Sequence, residues 1–332
     1  MDAIKVGKGA STPIYATKVR DYIKIARIDH WFKNVFMFFG VLVAIFHNPH
    51  MIGLKHLPIL ILAVFNTCLL ASSNYVLNEI QDAKFDRLHP EKKYRPIPSG
   101  KIEVTIAYAE WLVLAAIGLA LALSINGAFF YTSLTFWVMG ILYNVAPIRL
   151  KDIPYLDVLS ESVNNPLRLL LGWFAIYPTE LPSMSLLIAY WLIGSFFMAS
   201  KRFSEYRHIN DSEIAAEYRK SFRYYDEKTL LVSMFFYTTL FGLFFGIFIL
   251  RYHFELILMT PLIAGFVAYY VKVSFNKESA VQSPERLYRE KVLMIFAGVC
   301  VLSFFTLLFI NIPIMYEWFN VVQPRLPVLW VF

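Results

Sequence analysis

Nine long apolar runs limit this chain to few architectures, because each run, as a helix, is nearly as long as a lipid bilayer is thick. About twenty apolar residues in a helix cross about 30 Å of hydrocarbon. The runs are continuous and lack the alternation of a transmembrane β-strand. They lie at residues 32–47, 57–77, 105–124, 128–146, 158–176, 183–200, 229–250, 254–272 and 291–312. The sequence therefore predicts an all-α polytopic membrane protein with nine transmembrane helices.

The composition of the 332 residues agrees with this class. Hydrophobic residues make up 58% and charged residues 17%, whereas about a quarter of the residues in soluble domains are charged. The first twenty residues contain no apolar segment of the signal-peptide kind, so no cleaved signal is expected. Cys68 and Cys300 both fall inside predicted spans, which favours packing over a disulfide or a zinc site.

The positive charges predict how the chain sits in the membrane. With nine spans, the loops after even-numbered spans share a side with the N-terminus. That side carries 27 of the 31 Lys and Arg residues, the other side carries three, and Arg168 lies inside the fifth span. Positive loops stay in the cytoplasm. We therefore expect an integral plasma (inner) membrane protein with a cytoplasmic N-terminus, cytoplasmic catalytic loops and an outer C-terminus. The same bias accounts for the net charge of +7 without nucleic acid.

Acidic side chains follow the second run in the segment "NEIQDAKFDRLHPEKKYRPIPSG", residues 78–100. If the helix continues, Asn78, Asp82 and Asp86 share a face, and Glu79 lies three residues before Asp82. Mg²⁺ accepts one or two carboxylates and leaves positions for substrate phosphates. The alternative is a solvated helix end whose charges pair with Lys84 and Arg87.

A basic loop follows this helix directly. His89, Lys92, Lys93 and Arg95 lie in "HPEKKYRPIPSG", where prolines end the helix. Acidic groups beside cations are the combination that a magnesium-bound diphosphate requires. This arrangement favours the metal-site interpretation over the solvated helix end.

The spacing Asn78-x3-Asp82-x3-Asp86 followed by "YRPIPSG" resembles the first aspartate-rich motif of the UbiA superfamily of membrane prenyltransferases. The resemblance implies nine helices around a central cytoplasm-facing cavity, with Mg²⁺ as the cofactor holding a diphosphate. Glu79 stands where many members have Asp. We place this catalytic domain at residues 31–312, between an N-terminal arm (1–30) and an apolar, proline-interrupted tail (313–332) that we interpret as interfacial.

The segment after the sixth span departs from the pattern of most members, which carry a second acidic motif there. Here "ASKRFSEYRHI" contains Lys201, Arg202 and Glu205. Two adjacent cations oppose a second metal site and suit a phosphate. The alternative is that both are cytoplasmic anchors, with Lys201 pairing with Glu205.

Four segments are similar to those of the decaprenyl-phosphate phosphoribosyltransferase branch: "DHWFKNVF", "NEIQDAKFDRLHPEKKYRPI", "ASKRFSEYRHI" and "YRKSFRYYD". This likeness implies transfer of 5-phosphoribose from phosphoribosyl diphosphate (PRPP) to a polyprenyl phosphate, with release of diphosphate. It implies a catalytic metal site of Asn78, Glu79, Asp82 and Asp86. The implied substrate contacts are Lys93 and Arg95 for diphosphate, Lys201, Arg202, Arg219 and Lys220 for the 5-phosphate, and Lys33 and Asn34 for the lipid phosphate, together with His89, Tyr143, Lys151 and Glu205.

Polar residues also recur along one face of the fifth span: Asp157, Glu161, Asn164 or Asn165, and Arg168. Ionisable groups at membrane depth face a cavity or each other. One interpretation places Arg168 against a bound phosphate. The other pairs Arg168 with Glu161 or Asn164 inside the helix bundle.

Two other functions remain open at this point. A prenyltransferase would move an isoprenyl chain from its diphosphate to an aromatic or other acceptor, with Asp157 and Glu161 of "DVLSE" replacing the second acidic motif. A transporter or scaffold would tolerate Asp82→Asn and Asp86→Asn. Self-association into a homo-oligomer is compatible with each of these.

Overall fold

The computed structural model describes residues 19–87, 92–209, 211–276, 279–282, 284–322 and 330–331. Within them the chain is a bundle of α-helices joined by short 3₁₀ turns. The helices are α1 Val19–Ile25, α2 Met37–His47, α3 Leu57–Asp86, α4 Val104–Ile125, α5 Gly127–Asn144, α6 Leu156–Ser162, α7 Asn164–Ile176, α8 Met184–Ile209, α9 Ser212–Tyr218, α10 Glu227–Tyr252, α11 Thr260–Ser274, α12 Lys291–Leu308 and α13 Pro313–Trp318.

The connecting elements are short. The 3₁₀ helices span Ile28–Phe36, Pro49–Met51, Leu54–His56, Lys92–Tyr94, Leu150–Asp152, Lys220–Arg223, Phe254–Met259, Ala280–Gln282 and Pro284–Arg289. Two strands, β1 Ile310–Asn311 and β2 Trp330–Val331, form a parallel pair near the C-terminus. Apart from this pair, the described residues confirm the predicted all-α class.

Seven helical segments in the described part of the chain are long and apolar enough to cross a membrane: Val19–His47, Leu54–Asp86, Val104–Ile125, Met184–Ile209, Glu227–Tyr252, Phe254–Ser274 and Lys291–Leu308. The two other predicted spans correspond to α5 and to the pair α6 and α7. Each of the nine predicted runs thus overlaps helical structure, and nine membrane crossings remain a prediction.

Large apolar side chains cover much of the outer surface of the bundle. Val232, Phe235 and Leu302 are at least two-thirds exposed on long helices. Contiguous exposed apolar surface is rare on soluble monomers, and it is the surface that lipid covers in a membrane protein. The interior of the bundle therefore has to hold the ionisable residues that the helices carry.

Helices α2 and α7 cross at unusually short range because each contributes a glycine. A side chain at Gly40 would collide with the carbonyl oxygen of Leu169, and one at Gly172 with that of Met37. Small residues allow this approach of helix backbones in membranes. The crossing holds the segment before α2 beside the first two turns of α7, where Arg168 lies.

The fifth predicted span is interrupted, which its sequence did not lead us to expect. Helix α6 ends at Ser162 and α7 begins at Asn164. Pro166 lies in the first turn of α7, where its missing N–H is tolerated, but it cannot donate to a carbonyl of the preceding turn. The polar stripe is therefore divided, with Asp157 and Glu161 on α6 and Arg168 on α7.

Candidate functional site

The acidic end of α3 presents one pair of residues to the neighbouring helix α5 and the turn after it. Asn78 Nδ2 donates to Asn144 Oδ1 over 2.8 Å. Asp82 Oδ1 accepts from Arg149 Nη2 at 2.8 Å and from Lys151 Nζ at 2.5 Å. This carboxylate therefore lies where two cations and two amide side chains meet.

A second pair on α3 points toward the following loop instead. Glu79 Oε1 accepts from the backbone N–H of Ile97 at 3.1 Å, and Asp86 Oδ2 accepts from Arg95 Nη1 at 2.6 Å. Seven residues complete almost two helical turns, so Glu79 and Asp86 lie over each other. Both are buried, and both hold the loop that contains the "YRPIPSG" motif.

The four residues predicted as metal ligands are thus divided between two faces of α3. The described residues contain no group of three or more His, Cys, Asp or Glu side chains that could hold a metal ion. Mg²⁺ requires only one or two protein carboxylates when substrate phosphates and water complete its shell. Asp82 and Asn78 lie on one face of α3 and carry oxygen atoms of the kind that such a magnesium ion takes, whereas Glu79 and Asp86 are bonded to the loop.

Lys151 and Arg149 form the basic side of this site. Arg149 has a left-handed backbone conformation, with φ of 33°, which turns the chain so that both cations reach Asp82. Lys151 Nζ also donates to Asn144 Oδ1 at 2.8 Å. Burial lowers the pKa of Lys151 to about 8, although the Asp82 carboxylate opposes this shift. The sequence did not indicate a role for Asn144. Its side chain accepts from Asn78 on the acidic side and from Lys151 on the basic side.

The second motif differs most from its predicted arrangement. The Arg202 side chain is 0% exposed and forms ion pairs with Asp157 at 3.2 Å, Glu161 at 2.6 Å and Glu205 at 3.1 Å. We expected Arg202 to contact a phosphate, but its guanidinium is enclosed by protein carboxylates. Lys201 is half-buried and makes no ion pair within the described residues. The alternative of a Lys201–Glu205 ion pair is not formed: Arg202 makes the close contact with that carboxylate, and the charge of Lys201 acts on it from a longer distance.

Arg219 and Lys220 approach the same region from the loop before α10. Arg219 Nη1 lies 3.7 Å from Asp157 Oδ2, and this buried nitrogen has no hydrogen-bond partner in the described part of the chain. Lys220 Nζ lies 3.0 Å from Asp152 Oδ2 and its side chain is 54% exposed. Tyr143 donates to Glu161 Oε2 at 3.0 Å. Arg219 and Lys220 therefore have donors left for an anion.

Among the described residues, every partner of Arg168 is neutral. Its Nε donates to Asn34 Oδ1 at 3.0 Å, its Nη1 to the carbonyl of Asn164 at 3.5 Å, and its guanidinium lies over the Phe136 ring. Of the two structural partners considered for Arg168, Asn164 is in contact through its carbonyl, and Glu161 is not because it binds Arg202. Asn34 also donates to Cys68 Sγ at 3.3 Å. A half-buried guanidinium without a carboxylate is a candidate for binding an anion.

An apolar cavity of about 380 Å³ ends at Cys68, on the far side of Asn34 from Arg168. It is lined by Trp31, Phe38, Leu57, Leu60, Ile61, Val64, Phe65 and Cys68. From Leu57 to Cys68 the helix rises about 16 Å. The cavity therefore runs alongside α3 for about half the thickness of a bilayer, toward the Arg168 side chain.

The other predicted contacts have peripheral positions. Lys33 Nζ lies 2.9 Å from His30 Nδ1. Lys93 is exposed, 5.1 Å from the centroid of the Tyr94 ring. His89 falls outside the described residues. The charged residues that converge are therefore those around Asp82 and those around Arg202.

The sequence matches the UbiA prenyltransferase family over residues 34–295. It is 31% identical over 212 residues to decaprenyl-phosphate phosphoribosyltransferase of Corynebacterium glutamicum, covering 61% of this chain and 59% of that protein. It is 27% identical over 236 residues to the enzyme of the same name from Mycolicibacterium smegmatis, covering 69% and 71%. Across the first three curated relatives the alignment spans 30%, 59% and 43% of the relative's own length.

The fold is similar to that of a UbiA homologue from Archaeoglobus fulgidus solved bound to DMAPP and Mg²⁺. The TM-score is 0.64 at 19% identity, over 87% of this chain and 99% of that one. At this identity the likeness concerns the fold.

Proposed function

The chain belongs to the UbiA prenyltransferase family, and we propose that it transfers 5-phosphoribose from PRPP to a polyprenyl phosphate, with magnesium as cofactor and diphosphate as leaving group. The observation that carries this proposal is a set of cations at the charged end of the bundle whose donor groups are not all used by protein carboxylates. Arg168 has only neutral partners, Arg219 has an unpartnered nitrogen, and Lys201 has no ion pair within the described residues.

These cations favour substrates with several phosphates. PRPP carries a diphosphate and a 5-phosphate, and the acceptor adds a third phosphate group. A prenyl diphosphate with a neutral acceptor carries only one phosphate cluster. The names of the relatives from Corynebacterium glutamicum and Mycolicibacterium smegmatis support the same reaction.

Each group has a definable task in this reaction. The C1–O bond of the ribosyl diphosphate breaks with its electrons passing to the diphosphate, and an oxygen of the lipid phosphate bonds to C1. Magnesium supplies positive charge for the departing diphosphate. Asp82 and Asn78 would provide its protein ligands, and Arg149 and Lys151 fix the orientation of Asp82. The acceptor is already an anion at neutral pH, so positioning matters more than a general base.

The two phosphates that remain would be held on opposite sides of the site. Lys201, Arg219 and Lys220 would bind the 5-phosphate. Arg168 and its partner Asn34 would bind the lipid phosphate. The apolar cavity that ends at Cys68 would accommodate the first part of the polyprenyl chain, since Asn34 bonds both Cys68 and Arg168.

Mass spectrometry of the lipid product tests the proposal. Purified protein with magnesium receives either PRPP with a polyprenyl phosphate or a prenyl diphosphate with an aromatic acceptor, and Asp82→Asn is the control. A polyprenyl phosphate heavier by one phosphoribosyl group is the expected product. A prenylated aromatic product would identify the chain as a prenyltransferase, which the fold also accommodates. No product from either mixture would favour a transporter or scaffold.

A further inference from the structure

The carboxylate of Asp152 joins two loops at the charged end of the bundle. Its Oδ2 lies 3.1 Å from Arg149 Nε and 3.0 Å from Lys220 Nζ. Arg149 directly precedes the same 3₁₀ turn and also binds Asp82, whereas Lys220 belongs to the loop before α10. Asp152 therefore links the surroundings of Asp82 to the loop that carries Arg219 and Lys220.

The two cations that Asp152 contacts differ in how firmly they are held. The Arg149 side chain is 14% exposed, and it also donates to Asp82 at 2.8 Å and to the carbonyl of Asn144 at 3.0 Å. The Lys220 side chain is 54% exposed, and its other contact within the described part of the chain is the Phe85 ring, 5.9 Å from Nζ. Ion pairs of exposed lysines contribute little to stability. Lys220 can therefore leave Asp152 at low cost, and Arg149 stays in place.

The two loops remain joined when Lys220 leaves Asp152. The backbone N–H of Tyr155 donates to the Tyr225 hydroxyl, which in turn donates to Asp157 Oδ1 at 2.7 Å. Lysine carries its charge on a flexible four-carbon stem. The Lys220 ammonium can therefore turn from Asp152 to another anion by side-chain rotation alone.

We propose that Asp152 holds Lys220 while the site is empty and gives it up to the 5-phosphate of the donor. A phosphate monoester carries more negative charge than a carboxylate and offers three acceptor oxygens. The adjacent Arg219 has a buried nitrogen without a hydrogen-bond partner among the described residues, so both side chains can donate to one phosphate. Asp152 is a positioning residue, since it acts through Lys220. The identity of this phosphate rests on the proposed function.

Equilibrium binding of ribose 5-phosphate to the purified protein tests the exchange without turnover. Asp152→Asn keeps the size of the side chain and removes its charge. The variant should bind ribose 5-phosphate about two- to fivefold more tightly than the wild type, which is the range of an exposed ion pair. In steady-state assays the Michaelis constant for PRPP should fall by a similar factor. The turnover number and the Michaelis constant for the polyprenyl phosphate should not change.

Two control variants separate the exchange from a general effect of charge. Lys220→Ala should weaken ribose 5-phosphate binding, and adding Asp152→Asn to it should restore nothing, because the competing partner is absent. A long-range effect of the lost carboxylate would persist in this double variant. Glu227→Gln removes a carboxylate that pairs with Arg207 at 2.8 Å, seven residues after Lys220 in sequence. It should leave ribose 5-phosphate binding unchanged.

Several results would overturn the proposal. These are unchanged or weaker binding of ribose 5-phosphate by Asp152→Asn, no binding by any variant, or an equal gain in Glu227→Gln or in the double variant. The lipid product reports separately on the proposed function. A phosphoribosylated lipid with unchanged binding by Asp152→Asn would support the reaction and reject the exchange. Tighter binding by Asp152→Asn with a prenylated aromatic product would support the exchange and reject the donor.

Discussion

Replacing Arg168 by methionine distinguishes a substrate-binding arginine from a structural one. A guanidinium at membrane depth costs about 2.5–3.5 kcal/mol on insertion scales, and no carboxylate among the described residues offsets this for Arg168. The change leaves Oδ1 of the buried Asn34 without its donor, which costs about 1–3 kcal/mol. The variant should therefore lie between about 2.5 kcal/mol more stable and about 0.5 kcal/mol less stable than the wild type.

Activity should respond in the opposite way. If the guanidinium binds the lipid phosphate, its removal should reduce kcat/KM for the polyprenyl phosphate about a hundredfold, as is common for a charged group that binds a reacting anion. The Michaelis constant for PRPP should change little. Thermal unfolding of detergent-purified protein and initial rates at varied lipid concentration measure the two effects separately.

Arg207→Met is the matched control for this experiment. Arg207 is ion-paired with Glu227 and lies against the rings of Phe203 and Phe275, so its loss should lower the unfolding temperature and leave turnover per folded molecule unchanged. If Arg168→Met showed this same pattern, Arg168 would be a packing residue and the lipid phosphate would bind elsewhere.

Five further perturbations have distinct expected outcomes. EDTA, and separately Asp82→Asn, should each reduce turnover about a hundred- to a thousandfold; more than a tenth of wild-type turnover for Asp82→Asn at saturating Mg²⁺ would contradict its role as metal ligand. Glu79→Gln should lower the unfolding temperature and leave the Mg²⁺ dependence of the rate unchanged, whereas weaker Mg²⁺ dependence would return Glu79 to the ligand set. Lys201→Glu should raise the Michaelis constant for PRPP at least about tenfold, by reversing one charge near a phosphate, and an equal rise for the lipid would argue against a donor site. Val64→Trp, which fills the apolar cavity, should raise the Michaelis constant for the polyprenyl phosphate alone, and unchanged lipid kinetics would exclude the cavity from the lipid path.

Hydrophobic patterning determined the fold class, because an apolar run long enough to cross a bilayer can adopt few conformations there other than a helix. The nine predicted runs all overlap helices of the bundle. The family could also be identified from short motifs, since the spacing of Asn78, Asp82 and Asp86 and the segment "YRPIPSG" are local in sequence. These features depend on neighbours along the chain, which a sequence displays directly.

The partners of each charge depended on tertiary structure. Sequence spacing places Glu79 near Asp82, but a turn of 3.6 residues directs Glu79 and Asp86 to the loop and Asp82 to Lys151. Arg202 was predicted to face a phosphate from its place beside Lys201, yet packing of α6 against α8 gave it Asp157 and Glu161 in addition to Glu205 on its own helix. A charge at membrane depth binds whatever opposite charge the fold brings nearest, and residues 45 positions apart in sequence, such as Asp157 and Arg202, come together only through helix packing.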